Sequence, residues 1–153
     1  MDMEKGRKER LKCYVVDNEK EMNACFNIRK SVFVDELKMF EESDVDSFDE
    51  EAVHIAVSDE SGIIGTVRVY KDKKGNWFGG RLAVRKGKRH GIAGRLLVKK
   101  AEDIALKNGA HTLFALVQKK NVNFFKKLKW EVKEGPFEYY GILHYLMKTK
   151  LDK

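Results

Sequence analysis

The stretch that decides the fold is Trp77-Phe78-Gly79-Gly80-Arg81-Leu82-Ala83-Val84-Arg85-Lys86-Gly87-Lys88-Arg89-His90-Gly91-Ile92-Ala93-Gly94-Arg95-Leu96-Leu97, continuing to Asn108. It reads as strand, basic glycine-broken loop, and helix. Lys86 to Gly91 cannot extend the strand, because charge and glycine interrupt it. From Ile92 the apolar residues recur at helical spacing: Ile92, Leu96/Leu97, Ala101, Ile104/Ala105. Gly109 supplies the stop.

Such a turn suits an anion. The first helical turn has unpaired N–H groups and the positive end of the helix dipole. Gly91, Ala93 and Gly94 let a phosphate approach the backbone, and Lys88, Arg89 and Arg95 add charge. The alternative is a plain helix following a basic surface loop. The pattern is neither a P-loop nor a dinucleotide-binding fingerprint.

Leu82-Ala83-Val84 followed by Lys88-Arg89-His90-Gly91-Ile92-Ala93 resembles the [QR]-x-x-G-x-[GA] signature of the GNAT superfamily of acyl-CoA-dependent N-acyltransferases, with Lys88 at the first position. Further blocks in order carry the resemblance from about Lys12 to Lys150. Phe124-Phe125-Lys126-Lys127-Leu128-Lys129-Trp130 resembles F-Y-x-x-x-G-F. Arg29 to Glu36 resembles a subgroup's R-x-x-V-F-V-x-E, followed by Asp46, Asp49 and Ala52-Val53-His54. Phe137 to Met147 resembles its F-x-x-x-G-x-x-H-x-x-M ending.

The resemblance implies that acetyl-CoA is the co-substrate and that no metal is needed. It implies that the pantetheine arm lies along Leu82, Ala83 and Val84, and that the pyrophosphate sits on Lys88, Arg89, His90, Gly91, Ile92, Ala93, Gly94 and Arg95. Gln118, Asn121 and Phe125 complete the implied cofactor set. Many members place an acidic Tyr where this chain has Phe125, which cannot donate a proton. Gly79 and Gly80 are consistent with a bulge that opens the strand, or with the tail of a turn.

For the base, His54 is the first candidate and His144 the second; Glu36 or Glu138 orients one of them or binds the amine. Tyr139 or Tyr140 is a candidate for the missing acid.

At 153 residues the chain is long enough for one well-cored domain. The expected architecture is α+β: a single GNAT-like domain over residues 11–153 after a flexible tail at 1–10. It has a mixed sheet of six or seven strands and three or four helices. The chain order is strand, helix, a three-strand antiparallel meander, the loop–helix unit, a strand parallel to the last of the meander, a short helix, and a closing antiparallel pair with Pro136 in its loop.

Net charge is +7. The run 41–51 holds seven acidic residues and no base, leaving about +14 on the remainder. That acidic run is a mobile flap, a substrate loop that receives a cationic amine such as a polyamine, a lysine or an aminoglycoside-like molecule, or a solvated offset to a basic protein. Nucleic acid is disfavoured, since the aromatics are spaced as core and the acidic run repels phosphate. No membrane segment or secretion signal is visible, and Cys13 and Cys25 read as reduced core thiols, so a cytoplasmic location is expected. The expected function is acetyl transfer to a primary amine of a small molecule or peptide, and a homodimer is compatible with the chain. The competing readings are a non-catalytic CoA-binding module and an acyl-homoserine-lactone-synthase-like enzyme, the latter suggested by Arg29, Phe33, Asp46 and Asp49.

Overall fold

A computed structural model describes residues 10–89 and 91–151. Residues 1–9 of the expected tail, and His90, lie outside them. Asn18 caps the first helix: its side chain accepts the Glu21 N–H at 2.8 Å. The elements are β1 (Lys12–Val15), α1 (Glu19–Arg29), β2 (Val53–Asp59), β3 (Gly62–Lys71), β4 (Trp77–Val84), α2 (Ala93–Lys107), β5 (Thr112–Gln118), α3 (Val122–Lys127), β6 (Glu131–Tyr139) and β7 (Ile142–Lys150). They form one seven-stranded mixed sheet ordered β1-β2-β3-β4-β5-β7-β6, in which only β4 and β5 run parallel.

Alternation in the central strands sends side chains to two different cores. Ile55, Val57, Val67 and Val69 meet Leu97, Val98, Ala101 and Ala105 of α2. On the opposite face, Ala56 and Ala83 meet Cys25, Ile28, Val32 and Phe33. Both faces are covered, so these strands are buried on both sides. A side chain at Gly65 would stand 3.0–3.2 Å from Val57, Ala83 and Leu97, so glycine there lets α2 sit close to the sheet. Burial pushes the thiols of Cys13 and Cys25 up, which keeps them protonated.

Two local features depart from the sequence expectation. First, α1 runs on as a π-helical stretch, Lys30–Glu36, closed by the Leu37 N–H bonding the Val32 carbonyl at 2.8 Å. The widened turn buries Val32, Phe33 and Val34 in succession, which a 3.6-residue period does not. Second, Pro136 lies inside β6, not in a loop. The β6–β7 connection is the two-residue turn Tyr140–Gly141, with φ of 51° and 79°. β6 is an edge strand whose register with β7 slips between Glu134 and Phe137, and an edge tolerates a residue without an N–H.

Candidate active site

The parallel pair that the sheet needs is almost not made. β4 and β5 match only at Trp77 with Leu113 and Phe78 with Phe114. Beyond Phe78 they splay, so the β5-facing backbone edge of β4 opens into a cleft. Gly79, Gly80, Arg81 and Leu82 line one wall and Ala115 to Gln118 the other. α2 begins beside the end of β4 at Ala93, with no side chain capping its first turn, so those N–H groups face outward. A strand edge with free N–H and C=O groups fits an amide-bearing arm, and an uncapped helix start fits its phosphates. Gln118, Asn121 and Phe125 also line this cleft.

The strand opens at a bulge, but not at the glycines. Thr66 pairs with Ala83 and Arg68 with Gly80, so β4 carries one extra residue at Arg81–Leu82. Arg81 holds φ at 51°. Its guanidinium explains why a non-glycine residue stays there: Nη2 donates to the Asp44 carbonyl at 2.9 Å and to Asp46 at 3.3 Å. Gly79 and Gly80 lie upstream in ordinary strand geometry.

Three of the acidic segment's seven carboxylates are not free to collect cations, while Glu41, Glu42, Glu50 and Glu51 are exposed. Asp44, Asp46 and Asp49 turn inward onto three arginines. Arg29 Nε donates to Asp44 at 2.8 Å, and its Nη1 and Nη2 grip Asp49 at 2.8 and 3.0 Å. Arg68 Nη1 donates to Asp46 at 2.6 Å and to Asp49 at 2.9 Å, and its Nη2 donates to Asp46. Three negative and three positive charges cancel. Burial alone would push the Asp49 carboxyl up, yet the bonds from Arg29 and the Asp46 N–H hold it well below the usual carboxylate range. The sequence singles out Arg29, Asp46 and Asp49 through the resemblance and Asp44 only as one acid of the run 41–51, and gives Arg68 and Arg81 no role. An arginine inside the apolar strand Ile63 to Tyr70 was the available signal, since a buried guanidinium requires carboxylate partners.

The candidate bases separate. His144 lines the cleft and is 3 % exposed. Its Nδ1–H donates to the Ile142 carbonyl at 2.7 Å, which leaves Nε2 as the proton-accepting nitrogen. Tyr139 also lines the cleft, edge-on to that imidazole at 5.1 Å. His54 does not reach the cleft. It lies under Phe26 on the α1 face, and its Nε2–H donates to the Asp49 carbonyl at 2.9 Å. Tyr140 is more than half exposed and packs on Phe40. Glu138 is exposed on the edge strand. Tyr70, which sequence reading passed over, lines the cleft stacked on Phe48 at 4.3 Å, and burial pushes its phenol up.

Glu36 is committed elsewhere. Its carboxylate takes both N–H groups of Arg89 at 2.7 and 2.8 Å, and Arg89's hydrogen bond holds it below its ordinary value. Lys88 likewise pairs with Asp59 at 2.9 Å. Two of the three expected phosphate cations thus have protein partners, and Arg95 is exposed. Glu36→Gln should free the Arg89 charge and tighten CoA binding by up to about fivefold, the scale of a partly exposed ion pair. Titration calorimetry at two salt concentrations checks this: unchanged affinity would show that Arg89 does not meet the phosphates.

A profile of the Acetyltransferase (GNAT) family matches residues 15–130. The chain is 30% identical to the uncharacterized N-acetyltransferase YjcF of Bacillus subtilis over 138 residues, covering 90% of this chain and 98% of that one. Among solved structures it is similar to Escherichia coli ElaA, with TM-score 0.80 and 18% identity over 90% of this chain and 98% of that one. It is also similar to an aminoglycoside 6'-N-acetyltransferase complexed with coenzyme A, with TM-score 0.75 and 12% identity over 93% and 98%. No helix of the described residues is long and apolar enough to cross a membrane. A splayed parallel strand pair before an uncapped helix and a family match across most of the chain converge: the chain belongs to the acetyltransferase (GNAT) family and is an acyl-CoA N-acyltransferase.

Proposed function

We propose that the protein transfers an acetyl group from acetyl-CoA to a primary amine of a small molecule or peptide. The observation that carries this reading is the open edge of β4 with His144 in the same cleft. Backbone N–H groups from Leu82 to Val84 hold the arm and donate to the thioester oxygen, where charge develops. His144 Nε2 takes a proton from the amine as its nitrogen bonds the acyl carbon. As the carbon–sulfur bond breaks, the Tyr139 hydroxyl gives its proton to sulfur, doing what Phe125 cannot. Solvent carries the proton on His144 back to Tyr139, which closes the balance. The first turn of α2, from Gly91 to Arg95, takes the pyrophosphate.

Phe125 favours a second reading, a CoA-binding module without turnover. The aromatic ring lines the cleft and offers no proton.

Thermal unfolding with acetyl-CoA, set against ATP and plain salt, tests the donor. A ligand at about 100 times its Kd adds about 2.7 kcal/mol, a shift of about 5 to 11 °C for a domain of this size. A shift with acetyl-CoA and none with ATP supports both readings, and release of free thiol in the presence of amines then separates them. No shift at millimolar acetyl-CoA would sink both.

A further inference from the structure

The cleft runs deeper than an acetyl group needs. Side chains alternate across β5. Gln118 reaches Met39 on the α1 face, whereas Leu113, Ala115 and Val117 belong to the core under α2. Residues of both sets line the cleft, so it passes between β4 and β5 and ends behind the sheet. Val98 and Ala101 of α2, with Trp130, close it there.

This blind end is the apex of the splay. The strands part after Phe78 and Phe114, while the arm enters from the opposite end, beside the first turn of α2. An extended molecule lying along Val84 to Leu82 therefore aims its acyl end at Gly80, Gly79 and the apex.

The two glycines keep that path clear. Neither takes the left-handed backbone region, so their conformation does not ask for glycine. Gly79 pairs with Val69 of the α2 core, so a side chain at Gly79 would point into the same face. Its Cβ would stand 3.9 Å from Leu113 Cδ2, and anything longer would extend into the gap between the strands. A Cβ at Gly80 would meet nothing within 4 Å. Ala101 and Ala115 are the small residues on the other walls. Trp130 turns its one polar atom away, donating Nε1–H to Glu102 at 3.0 Å. Walls of this kind offer water and amines nothing and suit a hydrocarbon.

We propose that the apex is an acyl-chain subsite, and that the donor range extends past acetyl-CoA to acyl-CoAs with short straight chains. The whole cleft measures about 160 Å³. An apolar cavity of about 150 Å³ holds a benzene molecule, which sets the ceiling near about six carbons. The proposal rests on the transferase reading above and widens its donor. The bonds are those of acetyl transfer: nitrogen–carbon forms, carbon–sulfur breaks, and the amine's proton ends on the CoA thiol.

The test is titration calorimetry on the full chain with CoA, acetyl-CoA, butanoyl-CoA and hexanoyl-CoA. Each buried methylene is worth about fourfold in affinity. Hexanoyl-CoA should thus bind at least about tenfold more tightly than acetyl-CoA, with butanoyl-CoA between them. Gly79→Val grows a side chain into the apex and should bring the ratio of the two affinities to about one. Ala115→Leu fills the apex from β5, should do the same, and serves should the first variant not fold.

Hexanoyl-CoA binding no more tightly than acetyl-CoA in the wild type would overturn the subsite and leave the acetyltransferase intact. A chain-length gain that persists in the folded variants would put the chain outside the apex and overturn it too. No binding of CoA or any acyl-CoA at millimolar concentration would overturn the transferase reading and the subsite together.

Discussion

Asp49→Asn is expected to destabilise the fold by about 3–5 kcal/mol, the cost of leaving buried charge without its partner. Over a domain of this size that lowers Tm by about 6 to 20 °C. The substitution keeps the shape of the side chain, so no cavity contributes. What it removes is the charge that Arg29 and Arg68 share: Arg29 Nη1 and Arg68 Nη1 both reach Asp49 Oδ1, at 2.8 and 2.9 Å. With the carboxylate gone, three guanidinia, those of Arg29, Arg68 and Arg81, have only Asp44 and Asp46 to offset them. The same carboxyls give the fold an acid-sensitive side. Asp46 and Asp49 are held below their ordinary values by the arginines. Between the folded and unfolded pKa values the unfolded chain binds more protons, so stability rises with pH there. It is fully present above about pH 5 and is lost as pH falls below about 4. Thermal melts of wild type and Asp49→Asn from neutral to acid pH should converge as pH drops. A variant whose Tm matches wild type at neutral pH would show that the network contributes nothing net.

The network also explains how far the sequence could be read. The strand–loop–helix stretch from Trp77 to Asn108 is legible because its signals are local: apolar spacing, a glycine-broken loop, a terminal Gly109 at φ 91°. The meander is legible for the same reason, with a turn at Asp59 to Gly62 and another before Trp77. The acidic segment is not, because its meaning lies in pairs 15 to 37 residues apart, Arg29 with Asp44 and Arg81 with Asp44. Read one residue at a time, seven acids within eleven residues suggest a solvated or cation-binding loop. Only the fold shows that three of them face inward. The bulge was misplaced in kind: glycine permits a bent strand, but here an arginine is held in the bent conformation by bonds to the acidic segment. Of the two histidines, His54 is the first candidate from sequence because it falls out of strand phase with the apolar Val53, Ile55 and Val57. Phase reports which face a side chain takes, not which faces hold the cleft, and the α1 face at His54 is closed by Phe26.

His144→Gln is expected to lower kcat by about 10²- to 10⁴-fold, the usual contribution of a positioned base, while the KM for acetyl-CoA stays nearly unchanged. Gln keeps a polar side chain of similar reach but has no nitrogen that accepts a proton. His54→Gln is the informative partner. His54 is buried against the Asp49 carbonyl and does not line the cleft, so its loss should appear as a lower Tm with kcat retained in the folded fraction. The two substitutions thus predict opposite patterns in two measurements. Loss of kcat in His54→Gln with unchanged Tm, alongside an active His144→Gln, would reverse the assignment and require the β2 face to open to the substrate. Loss in neither would make solvent the proton acceptor. It would then reduce the role of the cleft to holding the amine against the thioester, a positioning effect that can by itself supply about 7–11 kcal/mol.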